Sequence, residues 1–233
     1  MNDMPPIKKY RELLKGSPLF HGLNDGELEK AADILRAKTV SYGKGELLHP
    51  PYTEMKLFGL VLSGVVQACA DDVEGSRMIM AEVVPGVTFG EALCFLRLQE
   101  SPVYICASEP AEVLWLSPEA LFNGGADALT LRLQRQFAEM LAARTLSMND
   151  RIQVLSRLKL RDKLMTYFTH LSRSYRASVF QLPMNRNDLA AYLGTDRSAL
   201  SRELSRMKKE GLIDYRGNSV KLLNAECGIQ NAE

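Results

Sequence analysis

The stretch NRNDLAAYLGTDRSALSRELSRMKKE, residues 185–210, decides the fold of the carboxyl-terminal third of this chain. It predicts two short helices joined by a tight turn at Leu193-Gly194-Thr195, because glycine accepts the left-handed backbone that ends a helix. Asn185 is a suitable N-cap for the first helix, and Asp196 for the second. Two helices with this short connection are typical of a helix-turn-helix.

The second of these helices has one apolar face and one polar face. Leu200, Leu204 and Met207 are spaced four and three residues apart, so they share a buried face. The opposite face carries small hydroxyls and arginines: Arg197, Ser198, Ser201, Arg202 and Ser205. A slim polar face with arginines near the start of a helix suits entry into a DNA major groove. The sequence therefore predicts a DNA-recognition helix.

The residues after this helix predict a β-hairpin. Residues 212–215 and 219–222 read as strands, and Arg216-Gly217-Asn218 is a tight turn between them. Together these elements predict a winged helix-turn-helix. The alternative is an ordinary helical hairpin with a solvated polar face.

The side chains of the polar face suggest a division of roles on DNA. We expect Arg202 to specify a base, because its guanidinium can donate two parallel hydrogen bonds to guanine. Ser201 is expected at a neighbouring base, and Arg197 on a base or a phosphate. Candidate phosphate contacts are Arg186, Lys208, Lys209 and Arg216.

The charge distribution supports a nucleic-acid partner for this part of the chain alone. The chain has 233 residues, of which 46% are hydrophobic and 24% charged, a composition typical of a globular protein with two domains. Residues 1–156 hold 15 Lys and Arg against 20 Asp and Glu, whereas residues 157–233 hold 14 against 8. Because lysine and arginine displace counterions from phosphates, the basic part suits double-stranded DNA.

The sequence also excludes several classes of protein. The longest stretch without a charged residue, 57–70, is too short to cross a bilayer, and residues 1–6 lack the features of a secretory signal. We therefore expect a cytoplasmic protein with no membrane partner. The four cysteines and three histidines show no metal-ligand spacing, so we assign no metal site and no catalytic residue.

The amino-terminal half predicts a helical entry followed by a β-rich domain. Residues 7–37 read as helical with a break at Gly16-Ser17-Pro18, and Asp25 is a candidate cap. From Thr39 to about Leu116, short runs rich in β-branched and aromatic residues are separated by turn residues every 8 to 12 positions or so. This spacing predicts an antiparallel sandwich or barrel.

A long helix is predicted between Ala126 and Leu158, where no glycine or proline occurs and apolar residues recur at helical spacing. A helix of about 30 residues is ~45 Å long, more than a small sandwich can cover. We expect a second copy of the chain to cover the remainder, with burial on its own domain as the alternative. The residues expected in the dimer seam are Leu133, Phe137, Met140, Leu141 and Met148. Residues 158–172 predict a further helix, and 172–181 a linker.

This order of parts resembles the Crp/Fnr family of bacterial transcription regulators, over nearly the whole chain. Residues 57–66, LFGLVLSGVV, look like the family's strand-turn-strand signature, and Phe89-Gly90-Glu91 looks like the start of its effector-binding cassette. Residues 193–204, LGTDRSALSREL, are similar to its recognition helix. The resemblance implies an α+β fold: a cupin-like antiparallel jelly roll as the sensor domain at 1–125, a dimerisation helix at 126–156 and a winged helix-turn-helix at 157–233.

The resemblance further implies a transcription regulator, not an enzyme, that binds an inverted-repeat promoter site as a homodimer. RNA polymerase and a small-molecule effector are the other implied partners. Many relatives read their half-site with Glu, Ser and Arg from the recognition helix. This chain keeps Ser201 and Arg202, but Ser198 stands where the Glu would be.

The effector is the point where the chain departs from the family pattern. The resemblance implies a pocket at Phe89, Gly90, Glu91, Cys94, Arg97, Ser101, Val103, Met140, Leu141 and Arg144. Members that bind cyclic AMP hold its phosphate with Arg-Ser or Arg-Thr, whereas this chain has Ser101-Pro102 in that slot. A phosphodiester would lose its bidentate guanidinium there, unless Arg97 substitutes. We therefore expect an effector other than cyclic AMP, or none.

No cofactor is assigned. The amino-terminal cysteine cluster of the iron-sulfur members is absent, and haem would depend on His21, His49 or a cysteine. Oxidation of Cys69, Cys94 or Cys106 stays open. Two other function classes also stay open: a cupin-type enzyme, which would need a histidine-rich metal site, and a nucleotide-binding regulatory subunit that acts on a protein partner.

Overall fold

A computed structural model describes residues 7–71, 74, 76–125 and 127–223. The chain forms two compact units, Met1–Leu141 and Ala142–Glu233. The first six residues and Cys227, considered above for a secretory signal and for metal-ligand spacing, lie outside the described residues. Within the described residues, no helix combines the length and apolarity that a bilayer span needs.

The first unit begins with three short helical segments: α1 at Arg11–Gly16, a 3-10 helix at Pro18–Phe20 and α2 at Asp25–Ile34. The cap of α2 is Asn24, not Asp25 as expected. The Asn24 side chain accepts a hydrogen bond from the Glu27 N–H at 2.9 Å, and the Glu27 carboxylate accepts one from the Asn24 N–H at 2.8 Å. This reciprocal capping box satisfies two N–H groups at the helix start.

Eight antiparallel strands follow among the described residues of this unit. They are β1 Lys38–Tyr42, β2 Leu47–His49, β3 Phe58–Ser63, β4 Val66–Asp71, β5 Arg77–Val83, β6 Thr88–Phe89, β7 Tyr104–Ala107 and β8 Ala111–Leu116. One sheet has the order β1-β8-β3-β6 and the other β2-β7-β4-β5. Two four-stranded antiparallel sheets agree with the predicted jelly roll.

The core of the first unit contains side chains from both sheets and from α2. Phe58, Leu60 and Leu116 are fully buried. Gly59 allows a close approach, because a Cβ at that position would lie 2.2 Å from the Phe89 ring. Two short helices follow strands at the edge of this core: α3 at Glu91–Phe95 and α4 at Pro118–Asn123.

The long helix, α5, runs over Ala128–Leu155. Asp127 caps it, since its Oδ1 accepts hydrogen bonds from the N–H groups of Leu129 and Thr130 at 3.0 and 3.1 Å. Three residues expected in a dimer seam are buried in the core of the first unit instead: Leu133, Phe137 and Met140. The expectation is wrong for these three, because the jelly roll of the same chain already covers them.

The second unit contains α6 Leu160–Tyr175, β9 Val179–Gln181, α7 Arg186–Leu193, α8 Arg197–Lys209, β10 Ile213–Arg216 and β11 Ser219–Leu222. Its strands form a sheet of order β10-β11-β9. The predicted linker is therefore incorrect, because α6 extends to Tyr175 and β9 pairs with β11. Phe180 and Leu182 are buried at alternate positions, the period expected of a strand with one face on the core.

Candidate nucleic-acid interface and effector region

The turn between α7 and α8 has the geometry that the sequence predicts. Gly194 adopts the left-handed conformation with φ +65°, and its N–H donates to the carbonyl of Ala191 at 3.1 Å. The Thr195 N–H donates to the carbonyl of Ala190 at 3.0 Å, which completes the hydrogen bonding of the α7 end. Asp196 then caps α8 by accepting a hydrogen bond from the Ala199 N–H at 2.7 Å. The two helices are thus fixed by the local sequence.

The two faces of α8 differ as expected. Leu200, Leu204 and Met207 are buried in the core of the second unit. The exposed face presents a row of arginine, serine and lysine side chains: Arg197, Ser198, Ser201, Arg202, Ser205, Arg206 and Lys209. Part of this row, Ser201 to Lys209, lines a shallow groove with three cationic side chains. This surface can donate hydrogen bonds and positive charge to a polyanion.

Hydrogen bonds order the start of this face. Asp196 accepts a hydrogen bond from the Ser198 hydroxyl at 2.5 Å, and this bond holds the pKa of the Asp196 carboxyl below its usual value. The Ser198 hydroxyl in turn accepts one from Arg202 Nη1 at 3.2 Å. Arg202 is therefore directed along the exposed face, towards the start of the helix.

Ion pairs on the other side of α8 attach it to α6. Arg161 Nε donates to Glu203 Oε1 at 2.8 Å, and its two terminal nitrogens donate to the Glu210 carboxylate at 2.6 and 2.9 Å. The bidentate contact with Arg161 lowers the pKa of the Glu210 carboxyl. This anchor fixes the orientation of α8 within its unit.

Two of the candidate phosphate contacts already have partners within the protein. Arg186 Nη2 donates to the carbonyl of Gly217 at 2.9 Å, and its guanidinium lies 5.1 Å from the centre of the Tyr215 ring. Burial lowers the pKa of Arg186. Lys208 pairs with the Asp214 carboxylate at 2.5 Å. Arg186 therefore holds the β10–β11 hairpin against α7, and Lys208 holds it against α8.

The other two, Lys209 and Arg216, are exposed. The sequence reasoning missed Arg206, which is exposed and one turn beyond Arg202 on the same face of α8. Its position four residues after Arg202 was the available signal. Arg206 also lies 3.5 Å from the Glu203 carboxylate, so its charge is partly compensated.

The predicted effector residues of the first unit separate into three groups. Phe89 and Gly90 take part in internal packing. The Phe89 ring packs edge-on against Trp115 at 5.5 Å, and a Cβ on Gly90 would meet the Met55 side chain at 2.4 Å. Glu91 is buried at the start of α3, and Met140 Sδ accepts a hydrogen bond from the Thr88 hydroxyl at 3.3 Å. These side chains shape the fold.

Cys94 and Arg97 line a cavity of about 410 Å³, together with Glu54, Met55, Lys56, Phe95, Pro118, Glu119, Phe122 and Asn123. Its size is typical of a small-molecule site. Two aromatic rings of its wall, Phe95 and Phe122, pack edge-on at 5.2 Å. Two cations and two carboxylates line it, so its formal charges cancel.

The other predicted effector residues do not line this cavity. The Ser101 hydroxyl accepts a hydrogen bond from the Val103 N–H at 3.3 Å, and the Ser101 carbonyl accepts one from the Tyr52 N–H at 2.8 Å. The hydroxyl of Ser101 is thus used within its own loop. Leu141 packs against the core of the first unit, and Arg144 lies on the part of α5 that belongs to the second unit.

Comparisons with known proteins agree with both units. Residues 39–124 match the cyclic nucleotide-binding domain, and residues 162–227 match the Crp-like helix-turn-helix domain. The chain is 30% identical over 220 residues to the "Cyclic AMP receptor protein" of Thermus thermophilus, a match that covers 91% of this chain and 95% of that protein. It is 25% identical over 216 residues to the "Fumarate and nitrate reduction regulatory protein" of Yersinia pestis, covering 90% and 84%.

A solved structure extends the same relationship to the fold. The crystal structure of the Thermus thermophilus Catabolite Activator Protein matches with a TM-score of 0.50 and 26% sequence identity, over 88% of this chain and 93% of that one. A sensor-type jelly roll, a long helix and a winged helix-turn-helix thus occur in the same order in proteins named as regulators. The chain belongs to the Crp/Fnr family of bacterial transcription regulators.

Proposed function

We propose that this protein binds an inverted-repeat DNA site as a homodimer, under the control of an effector other than cyclic AMP. The observation that carries the proposal is the exposed row of Arg197, Ser201 and Arg202 on a helix whose opposite face is buried. Slim hydroxyls beside arginines allow the helix to approach base edges closely. We assign the main base contact to Arg202, because Ser198 already directs its guanidinium along this face.

The remaining cations would position the protein on the phosphate backbone. Lys209 and Arg216 are exposed and make no ion pair or side-chain hydrogen bond within the described part of the chain, which favours them over Arg186 and Lys208. Arg206 extends the same surface beyond Arg202. Phosphate contacts of this kind add affinity and fix register without reading sequence.

The homodimer is supported by an apolar line along α5. Met148, Ile152 and Leu155 are spaced four and three residues apart on α5, and Leu131 and Ala138, seven residues apart, hold the same heptad position as Ile152. All five side chains are exposed in the single chain. A second copy that packs along this line would cover them around a two-fold axis. Of the seam residues expected from the sequence, Met148 lies on this line and Leu141 is partly buried beside the first unit's core.

A two-fold dimer presents two copies of α8 to the same face of DNA. The half-sites of its target should then form an inverted repeat, centred about 34 Å apart. As a regulator of this type, the protein would act in the cytoplasm, where promoter DNA lies, and would contact RNA polymerase there.

The effector assignment follows from charge. The cavity beside Arg97 carries Lys56 as a second cation, but Glu54 and Glu119 balance both, so the lining has no net positive charge to attract a phosphodiester. The Ser101 hydroxyl is used within its loop. A small polar molecule that carries balanced charges, or none, fits this lining better than the anionic cyclic AMP.

Selection from a pool of random duplexes tests the DNA part of the proposal. Enrichment of an inverted repeat is the expected result, and enrichment of a single asymmetric element would contradict it.

Calorimetry with cyclic AMP tests the effector part, and the nucleotide is a sharp probe because the Thermus thermophilus relative is named for it. We expect no sub-micromolar binding. Sub-micromolar binding that Arg97→Ala abolishes would contradict the charge argument and identify Arg97 as the phosphate ligand.

A further inference from the structure

Two cysteines lie side by side on the outer face of the sheet β2-β7-β4-β5. In the register of β4 with β7, Gln67 pairs with Cys106 and Cys69 pairs with Tyr104. Cys69 and Cys106 are therefore diagonal neighbours that project from the same face. The opposite face of these strands carries Val66, Ile105 and other core residues, whereas neither cysteine belongs to that core.

A single flexible side chain covers both thiols. Arg77, on the edge strand β5, donates from Nε to Cys69 Sγ at 3.2 Å and from Nη2 to Cys106 Sγ at 2.8 Å. Nη2 also donates to Gln67 Oε1 at 2.8 Å. Cys69 and Cys106 are buried although they face away from the core, while Arg77 itself is exposed. A small movement of the Arg77 side chain would open both sulfurs to solvent.

Within this arrangement, the Arg77 guanidinium is the group that favours an ionised thiol, since it donates to both sulfurs. A neutral thiol is a weak acceptor, whereas a thiolate is a strong partner for a guanidinium. Burial raises the pKa of the Cys106 thiol, the neighbouring Cys69 adds to the rise, and the Arg77 charge opposes it. A cation and a second thiol beside a cysteine are features of redox-active pairs.

We infer that Cys69 and Cys106 form a reversible disulfide when the protein meets a hydroperoxide. One thiolate attacks the peroxide oxygen, takes up a hydroxyl as a sulfenic acid and releases an alkoxide, or hydroxide from hydrogen peroxide, which is protonated. The second thiol then attacks the sulfenic sulfur and releases water. In total, two thiols and one hydroperoxide give one disulfide, one alcohol or water, and one water. Each sulfur loses one electron, and the peroxide gains two.

Formation of the bond requires the two strands to move. Diagonal neighbours in an antiparallel pair have Cα atoms about 7–8 Å apart, beyond the roughly 4.4–6.8 Å that disulfides usually span. The ladder between β4 and β5 is already irregular at this point, with a bulge between Ala68 and Cys69. The bulge is the place where β4 can shift towards β7, and the disulfide would release Arg77 from both sulfurs.

Cys94 provides an internal comparison. It is buried beside α3, and desolvation raises the pKa of its thiol to about 11, with Glu54 adding to the rise and Arg97 opposing it. Among the described residues, no other cysteine contributes to the pKa shift of Cys94. Cys94 should therefore react more slowly than the pair, because the thiolate is the reactive form.

The test is oxidation of the folded, fully reduced chain carrying Cys227→Ser, with hydrogen peroxide near neutral pH and detection by mass spectrometry. We expect the loss of two hydrogens, a peptide that links Cys69 to Cys106, and reversal by dithiothreitol. Cys94→Ser should behave in the same way. Cys106→Ser should leave a sulfenic acid on Cys69 that dimedone traps. Arg77→Ala should slow the reaction roughly tenfold, whereas Arg77→Lys, which keeps a cation, should slow it less.

Two outcomes would overturn the inference. One is a folded protein in which Cys69 and Cys106 stay unlinked while Cys94 is oxidised first. The other is a link that appears only in denaturant, which would mean that the folded sheet does not bring the two sulfurs together. Circular dichroism of each variant before oxidation separates loss of folding from loss of reactivity.

Discussion

Arg202 Nη1 donates a hydrogen bond to the Ser198 hydroxyl at 3.2 Å, one helical turn earlier on the exposed face of α8. Ser198 itself donates to Asp196, the cap of the helix. The long arginine side chain is thereby partly ordered before any ligand binds. Ordering of this kind reduces the entropy that a side chain loses when it contacts a base.

This relationship makes Arg202 the first residue to test. Arg202→Ala should weaken binding to the cognate duplex by about 1–3 kcal/mol and flatten discrimination at one guanine in each half-site. Arg216→Ala, on the exposed hairpin, should instead weaken binding to all duplexes alike and lower the salt dependence. Titrations on cognate and single-base-substituted duplexes at two salt concentrations measure both effects.

Arg135→Ala is a matched control, because Arg135 is an exposed arginine of α5 whose partner is Glu139 on the same helix. It should leave DNA binding unchanged. If Arg202→Ala weakened binding to every duplex equally and left base preference intact, Arg202 would contact the DNA backbone. That result would refute direct readout.

Arg186 should contribute more to stability than to affinity. Arg186→Ala removes the hydrogen bond to Gly217 and the contact with the Tyr215 ring, so we expect a loss of about 1–3 kcal/mol in the unfolding free energy of the second unit. Urea unfolding of the full chain measures it, with Arg216→Ala as the comparison. An Arg186→Ala protein that keeps full stability but loses DNA binding would restore the phosphate role expected from the sequence.

Much of the second unit could be predicted because local signals determine it. The caps Asn185 and Asp196, the turn at Gly194 and the buried face around Leu204 all agree with the sequence reasoning. The strand β9 was missed because it is only three residues long and its pairing with β11 is a non-local contact. Family membership confirms the transcription regulator, and it excludes the cupin-type enzyme.

The predictions for α5 and the effector region depended on tertiary contacts that a periodic pattern does not reveal. The spacing of Leu133 and Phe137 indicates an apolar face, but only the folded chain shows that the jelly roll covers that face. Lys208 reads as a free cation in the sequence, and its ion pair with Asp214 depends on how β10 returns beside α8. The contact of Arg77 with both Cys69 and Cys106 likewise depends on the register of the strands.

Stability should depend on pH through His49. Burial in β2 lowers the pKa of His49 in the folded state below its ordinary value of 6.5, so the unfolded state binds a proton more readily. The contribution of His49 to the unfolding free energy is complete above about pH 6.5 and falls as the pH is lowered below it. The total loss is about 1.4 kcal/mol for each unit by which the folded pKa lies below the unfolded one.

Urea unfolding of wild type and His49→Gln between pH 5 and 8 measures the contribution of His49 to the unfolding free energy. His21 and His170 are present in both proteins, so the difference between the two curves isolates His49. Parallel curves would show that His49 is protonated equally well in the folded and unfolded states.

The last prediction concerns the proposed dimer, and α5 supplies a closely matched pair of residues. Ile152 is 64% exposed and Leu146 is 66% exposed, yet they point in directions roughly 120° apart around the helix axis. Ile152→Asp should give a monomer at micromolar concentration, because a carboxylate buried in an apolar seam costs several kcal/mol. Leu146→Asp should remain dimeric. Analytical ultracentrifugation distinguishes the two, and a wild-type protein that sediments as a monomer under the same conditions would refute the dimer along this line of α5.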